Sequence, residues 1–249
     1  MFTEEHVQLL TSFRVRTFGL KIQEMLDDPD YDEVSFEDKI VEAIEAEHLA
    51  RTNRKIEKYL KAAGFKNPDA SVEDIHYHPD RALSRERINR LAKLTWIDDP
   101  LNVVIIAATG AGKSYLAQAL GAHACRNLHS VAYWRLSELA TQLELLATDP
   151  EKRHRLITSA INTGVLILDD FFTTPISMQA TWALFEILEG RDGKAPTVIA
   201  SQLEPEDWYR AIDDSITADS LLNRLIRPAL FIRPDGPNMR PQHHEPDHD

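Results

Sequence analysis

Six consecutive residues, Thr109-Gly110-Ala111-Gly112-Lys113-Ser114, carry the most definite chemistry in the sequence. Gly110 and Gly112 let the backbone fold tightly, so that successive N–H groups can converge on phosphate oxygens. A helix opening at Lys113 adds its N-terminal dipole to the same point. Lys113 has the charge and reach for β- and γ-phosphates, and the Ser114 hydroxyl suits a Mg²⁺ shell. Thr109, Ala111 and Tyr115 complete the phosphate-binding stretch. Ala107 stands where glycine is commoner, which is acceptable if that residue keeps a strand-like negative φ.

A second constellation sharpens the first. Val165-Leu166-Ile167-Leu168-Asp169-Asp170 reads as a buried strand ending in two acids. Asp169 is placed to hold Mg²⁺ and Asp170 to orient or polarise an attacking water. Ser201 and Gln202 end another apolar run and could polarise that water or sense a γ-phosphate; a simple strand-end turn is the alternative. Arg224 falls on a late helical stretch, where an arginine finger from a neighbouring subunit would sit. A solvated helix arginine is the other reading.

These residues need a scaffold, and the hydrophobic rhythm supplies one. From Leu101 onward, short β-branched runs recur at Val103–Ile106, Val131–Trp134, Val165–Leu168, Thr197–Ala200 and Leu230–Ile232. Helical stretches lie between them at Lys113–Cys125, Leu136–Ala147, Glu151–Ile161, Ile176–Leu188 and Ala218–Arg227. Apolar strands alternating with helices predict an α/β fold, a parallel sheet sandwiched by helices. The chain before Pro100 reads as helical. Ser35 and Asp38 have capping-box spacing, and Ser84 is a candidate cap for a helix over 85–94. The reading divides the chain into a small all-helical domain over 1–80, an ATPase-like domain over 81–233 and a tail over 234–249. Within the first, 64–80, with Pro68 and Pro79, reads as a linker. The tail composition predicts disorder; His243, His244 and His248 could bind metal, but a solvated tail is favoured.

Bulk composition narrows the classes. Of 249 residues, 43% are hydrophobic and 27% charged, as in a globular protein. The single cysteine, Cys125, excludes an intrachain disulfide. Acidic residues near the start, and no apolar run of about 20 residues, predict a cytoplasmic protein with no membrane partner. A net charge of −12 argues against a wholly nucleic-acid-binding surface but allows local basic patches. One such patch spans Arg51 to Lys66, with six basic residues (Arg51, Arg54, Lys55, Lys58, Lys61, Lys66) against the single acid Glu57. Another holds Arg81, Arg85, Arg87, Arg90 and Lys93 against Glu86. Such stripes can neutralise duplex phosphates without reading bases; a solvated helix face is the alternative.

Several flanking segments carry a resemblance to a known family. They are Leu91-Ala92-Lys93-Leu94-Thr95-Trp96-Ile97, the loop continued through Tyr115-Leu116-Ala117, and Leu166-Ile167-Leu168-Asp169-Asp170-Phe171. Ala200-Ser201-Gln202-Leu203 with Trp208, Asn223-Arg224-Leu225 and Gly236-Pro237-Asn238-Met239-Arg240 follow. Upstream, Phe36-Glu37-Asp38, Glu47 and Arg51-Thr52-Asn53-Arg54 also match. Together they resemble the IstB family of AAA+ ATPases, helpers of a class of bacterial insertion sequences related to the helicase loader DnaC. The resemblance implies a P-loop AAA+ fold, ATP and Mg²⁺ as cofactors, and assembly into ring-like or helical homo-oligomers on duplex DNA. It also implies recruitment of a transposase, Arg224 as a finger acting in trans, and Arg240 as a possible second sensor contacting nucleotide. Two other readings stay open: a DnaC-like helicase loader, and a nucleotide-gated binding module that does not hydrolyse ATP, suggested by Ala107 and Asp170.

Overall fold

The computed structural model describes residues 2–77, 82–212, 214–227 and 229–235. Arg81, Arg240 and the tail from 236 onward lie outside them. The chain divides into two compact units, Met1–Lys58 and Tyr59–Asp249.

The first unit contains α1 (Glu4–Ser12), α2 (Arg16–Asp27), a 3₁₀ turn (Pro29–Tyr31) and the start of α3 (Phe36–Ala62). Of the capping box expected at Ser35, the N-cap half forms: the Asp38 N–H donates to Ser35 Oγ at 3.1 Å, while Ser35 Oγ itself donates to the Asp38 carboxylate at 2.7 Å. Glu47 ties the helices together. Its Oε2 accepts from the Thr17 and Phe18 N–H groups at the exposed head of α2, and its Oε1 from Arg51 Nε at 2.7 Å. Burial works to raise the Glu47 pKa, but these hydrogen bonds, Arg51 foremost, bring it below the ordinary carboxylate value.

The second unit is built on α4 (Arg85–Ala92), α5 (Thr95–Asp98), β1 (Asn102–Ile106), α6 (Lys113–Arg126), β2 (Val131–Arg135), α7 (Leu136–Leu145) and α8 (Pro150–Asn162). There follow β3 (Val165–Asp169), α9 (Met178–Arg191), β4 (Thr197–Ser201), α10 (Pro205–Arg210), α11 (Ser215–Ile226) and β5 (Ala229–Ile232). The strands pair in parallel in the order β2-β3-β4-β1-β5. The three central strands are apolar along Val103–Ile106, Val165–Leu168 and Val198–Ala200 because both of their faces are covered. Val103, Ile105, Val165, Ile167, Val198 and Ala200 meet a core that includes α6, while Val104, Ile106, Leu166, Leu168 and Ile199 meet one built with α7–α11. Gly121 lets α6 lie close on β3: a Cβ there would come within 2.6 Å of Ile167 Cδ1 and 2.9 Å of Phe65.

The expected linker over 64–80 needs correction for its described part, 64–77. Ala70, Val72 and Ile75 are buried in the α6-side core. The Asn67 N–H donates to Gln118 Oε1 at 2.7 Å, and the Tyr115 hydroxyl bonds the Ser71 backbone. Three apolar residues outweigh the turn-forming composition once α6 offers a surface to bury them on. The division between units accordingly falls inside α3, before Tyr59 and Leu60, which pack on that same core.

Candidate functional site

The loop 107–112 leaves the end of β1 and enters α6 at Lys113. Gly110 and Gly112 adopt φ of +84° and +86°, where a Cβ is strained. Ala107 has no such requirement: it keeps negative φ, is buried, and donates its N–H to the Ser201 carbonyl at 3.1 Å. The N–H groups of the first α6 turn lack intrahelical acceptors, so they are available to an anion.

Lys113 is buried, and its Nζ lies 3.5 Å from Asp170 Oδ1. Ser114 Oγ donates to Asp169 Oδ1 at 3.1 Å, joining the two proposed metal donors. Asp169 is 1% exposed. Its Oδ1 also accepts from the Asp170 N–H at 2.9 Å, and its Oδ2 accepts from the Tyr133 hydroxyl at 2.6 Å. Burial, and then the bond to Asp169, push the Tyr133 phenol far above its ordinary pKa, so it stays a donor. Asp170 occupies the left-handed region at φ +50°, a conformation that costs a non-glycine residue about 1–3 kcal/mol. That turn sets its carboxylate between Lys113 and Arg135, whose Nε lies 3.6 Å from Oδ2.

A hydroxyl and a carboxylate oxygen within hydrogen-bond distance, beside a phosphate-binding helix end, form a hard-oxygen donor set. That set fits Mg²⁺, which favours one or two protein oxygens with phosphates and water completing its shell. Thr109 Oγ1 donates to Gln202 Oε1 at 2.5 Å, holding Gln202 against the loop.

Other expected residues sit differently. Ser201 is fully buried; its Oγ donates to the Phe171 carbonyl and accepts from the Leu203 N–H and Trp208 Nε1. Those bonds use its one donor and both acceptor positions. Its hydroxyl therefore fastens the strand end, and Gln202 alone of the pair faces the loop. Tyr115 commits its hydroxyl to Ser71, leaving its backbone N–H as what it offers a phosphate.

Arg224 lies by the N-terminal ends of the strands, the end of the sheet away from the loop. Its carbonyl accepts from the Asn102 side chain at the start of β1, about 16 Å of strand from the loop. Its guanidinium stacks on Phe185 and meets Glu189 at 3.2 Å and Asp192 at 3.8 Å. It cannot serve the nucleotide site of its own chain.

In the basic stripe, Arg51 and Arg54 share Glu47 while remaining more than half exposed. Lys55, Lys58 and Lys61 are exposed along α3, whereas Lys66 pairs with Glu138 at 3.0 Å. In the second stripe Arg85 lies over the Tyr77 ring and Arg90 pairs with Glu86.

Tyr133 and Arg135 were not expected from sequence. The only signal was a run Val131–Arg135 with polar atoms at alternating positions, and its meaning depends on β2 lying next to β3.

The chain is similar to known proteins in sequence and in fold. A family model described as IstB-like ATP binding protein matches residues 11–246. An insertion sequence ATP-binding protein of Sinorhizobium fredii is 34% identical over 232 residues, 91% of this chain and 94% of the relative. A second from the same organism is 35% identical over 216 residues, 87% and 86% of the two chains. The crystal structure of DnaI, at 22% identity, superposes on 69% of this chain and 91% of its own with a TM-score of 0.57, a likeness of fold. With the family model matching nearly end to end and two relatives above 30% identity over most of both chains, the chain belongs to the IstB-like ATP binding protein family.

Proposed function

We propose that this protein is an ATP-hydrolysing helper of transposition that assembles on duplex DNA and recruits or stimulates a transposase. The observation that carries the reading is the Lys113–Asp170 and Ser114–Asp169 arrangement at the head of α6, in a chain whose relatives are named as insertion sequence ATP-binding proteins.

The loop N–H groups and Lys113 bind the nucleotide phosphates, and Ser114 with Asp169 holds Mg²⁺. The ion supplies charge neutralisation across the phosphates. Asp170, freed from Lys113 by the incoming phosphate, orients the attacking water, and Gln202 senses the γ-phosphate from across the loop. Arg224 of a neighbouring copy completes the site in trans, consistent with its distance from its own Lys113. Arg51, Arg54, Lys55, Lys58 and Lys61 neutralise DNA phosphates.

Light scattering with duplex DNA tests the whole reading. The mass of the protein–DNA complex grows when ATP is added; unchanged mass, with no DNA-stimulated phosphate release, would sink it. The basic stripe has its own test. Replacing Lys58 and Lys61 together by alanine weakens binding equally on unrelated duplexes and lowers the slope of log affinity against log salt by about two. An unchanged slope would remove these lysines from the interface.

A further inference from the structure

We propose that Tyr133 is a positioning residue for the metal: its hydroxyl locks the Asp169 carboxylate so that Oδ1 is presented to Ser114 and the nucleotide's Mg²⁺. This rests on the reading that Ser114 and Asp169 hold the ion.

The argument begins with strand register. In the parallel pair β2–β3, Tyr133 stands beside Ile167 and Arg135 beside Asp169. Residues 133, 167 and 169 therefore share one face of the sheet, and Asp169 is a diagonal neighbour within reach of a phenol but not of a short side chain. The phenol reaches it, at 2.6 Å from Oδ2. The opposite oxygen, Oδ1, takes the Ser114 hydroxyl and the Asp170 N–H.

Rotation about a carboxylate's terminal torsion is broad and two-fold. A donor on Oδ2, with the Asp170 N–H on Oδ1, removes that freedom and keeps Oδ1 turned toward Ser114 and the site. Groups behind a metal-holding carboxylate orient it in this way. Tyr133 is itself well held. Its N–H donates to the Ala63 carbonyl at 2.8 Å, its ring leans on Phe65 at 6.3 Å, and it is 5% exposed. A flexible donor would orient nothing; this one is fixed at both backbone and ring.

A purely structural role, satisfying a buried carboxylate, makes a different forecast from a metal-positioning role. The test is a Mg²⁺ titration of protein bound to a fluorescent ADP analogue, with the analogue's affinity also measured in EDTA. Wild type, Tyr133→Phe, Asp169→Asn and the double variant are compared. In Tyr133→Phe the Mg²⁺ midpoint rises about tenfold while the EDTA affinity stays at the wild-type value. The double variant is no worse than Asp169→Asn alone, because both act through one carboxylate.

An unmoved midpoint overturns the proposal. So does an equal loss of affinity in EDTA and Mg²⁺, which marks a packing defect, and so do losses that add in the double variant. A wild-type protein whose nucleotide affinity ignores Mg²⁺ overturns the metal site itself, and with it the role of Tyr133.

Discussion

Lys113→Ala is expected to lower ATP turnover by about 10²–10³-fold, a loss of about 2.7–4 kcal/mol of transition-state stabilisation. The side chain is 7% exposed and lies 3.5 Å from Asp170, so its charge acts where water screens it poorly. Two losses coincide when it is removed. The β- and γ-phosphates lose their point charge, and Asp170 is left with Arg135, at 3.6 Å, as its remaining cation. Asp170 is then drawn toward β2 and away from the water it should orient. The fold should survive, since α6 is held by Leu116, Ala117, Leu120 and Ala124, all buried on the sheet. Phosphate release together with fluorescent-nucleotide binding provides the check. Turnover within a few-fold of wild type, from a protein with intact binding, would show that the site is not the seat of hydrolysis.

Most of the scaffold of that site was legible in the sequence, for a physical reason. Strands buried on both faces must be apolar at every position, so Val103–Ile106 and Val165–Leu168 stand out without any tertiary information. The loop was legible because Gly110 and Gly112 answer a backbone demand that no other residue meets cheaply. What stayed hidden depends on which strand neighbours which. Tyr133 and Arg135 gain their roles only because β2 lies beside β3, and sequence distance says nothing of that.

The fate of Ser201 was hidden likewise. Its three partners, Phe171, Leu203 and Trp208, converge only after the loop following β3 and the turn into α10 are folded. The segment 64–77 misled for the opposite reason. Its local signals favour a linker, and only the surface of α6 makes burying Ala70, Val72 and Ile75 worthwhile. Backbone conformation and burial on both faces leave marks in the local sequence, whereas a contact that depends on topology leaves none.

The second large effect is on stability, and it belongs to a residue with no role in the proposed chemistry. Arg191, the last residue of α9, is 1% exposed. Its Nη1 donates to the carbonyls of Ala160 at 2.8 Å, Ile161 at 3.1 Å and Thr163 at 2.7 Å. Nη2 takes the Pro196 carbonyl and Nε the Thr197 hydroxyl at 3.2 Å. One guanidinium thus closes the C-terminal end of α8, where carbonyls lack intrahelical donors, and ties it to the entry of β4. Burial pushes its pKa down to about 10, which still leaves it charged at neutral pH.

Arg191→Met keeps much of the side-chain volume and removes every donor. Each abandoned buried carbonyl costs about 1–3 kcal/mol, partly offset because a buried charge is also removed. The net expected loss is about 3–5 kcal/mol, large against the 5–15 kcal/mol typical of whole domains. At this chain length that lowers the melting temperature by roughly 6–20 °C, readable by thermal or urea unfolding. Arg191→Lys, with three donors in place of five, should recover part of the loss. Nucleotide affinity measured well below the melting temperature should match wild type, since α9 ends beside the start of β4, at the end of the strands away from Lys113. Arg191→Met and Lys113→Ala therefore form a crossed pair, one losing stability with binding intact and the other losing the site with the fold intact. A melting temperature unchanged within about 2 °C in Arg191→Met would mean that other groups satisfy those carbonyls.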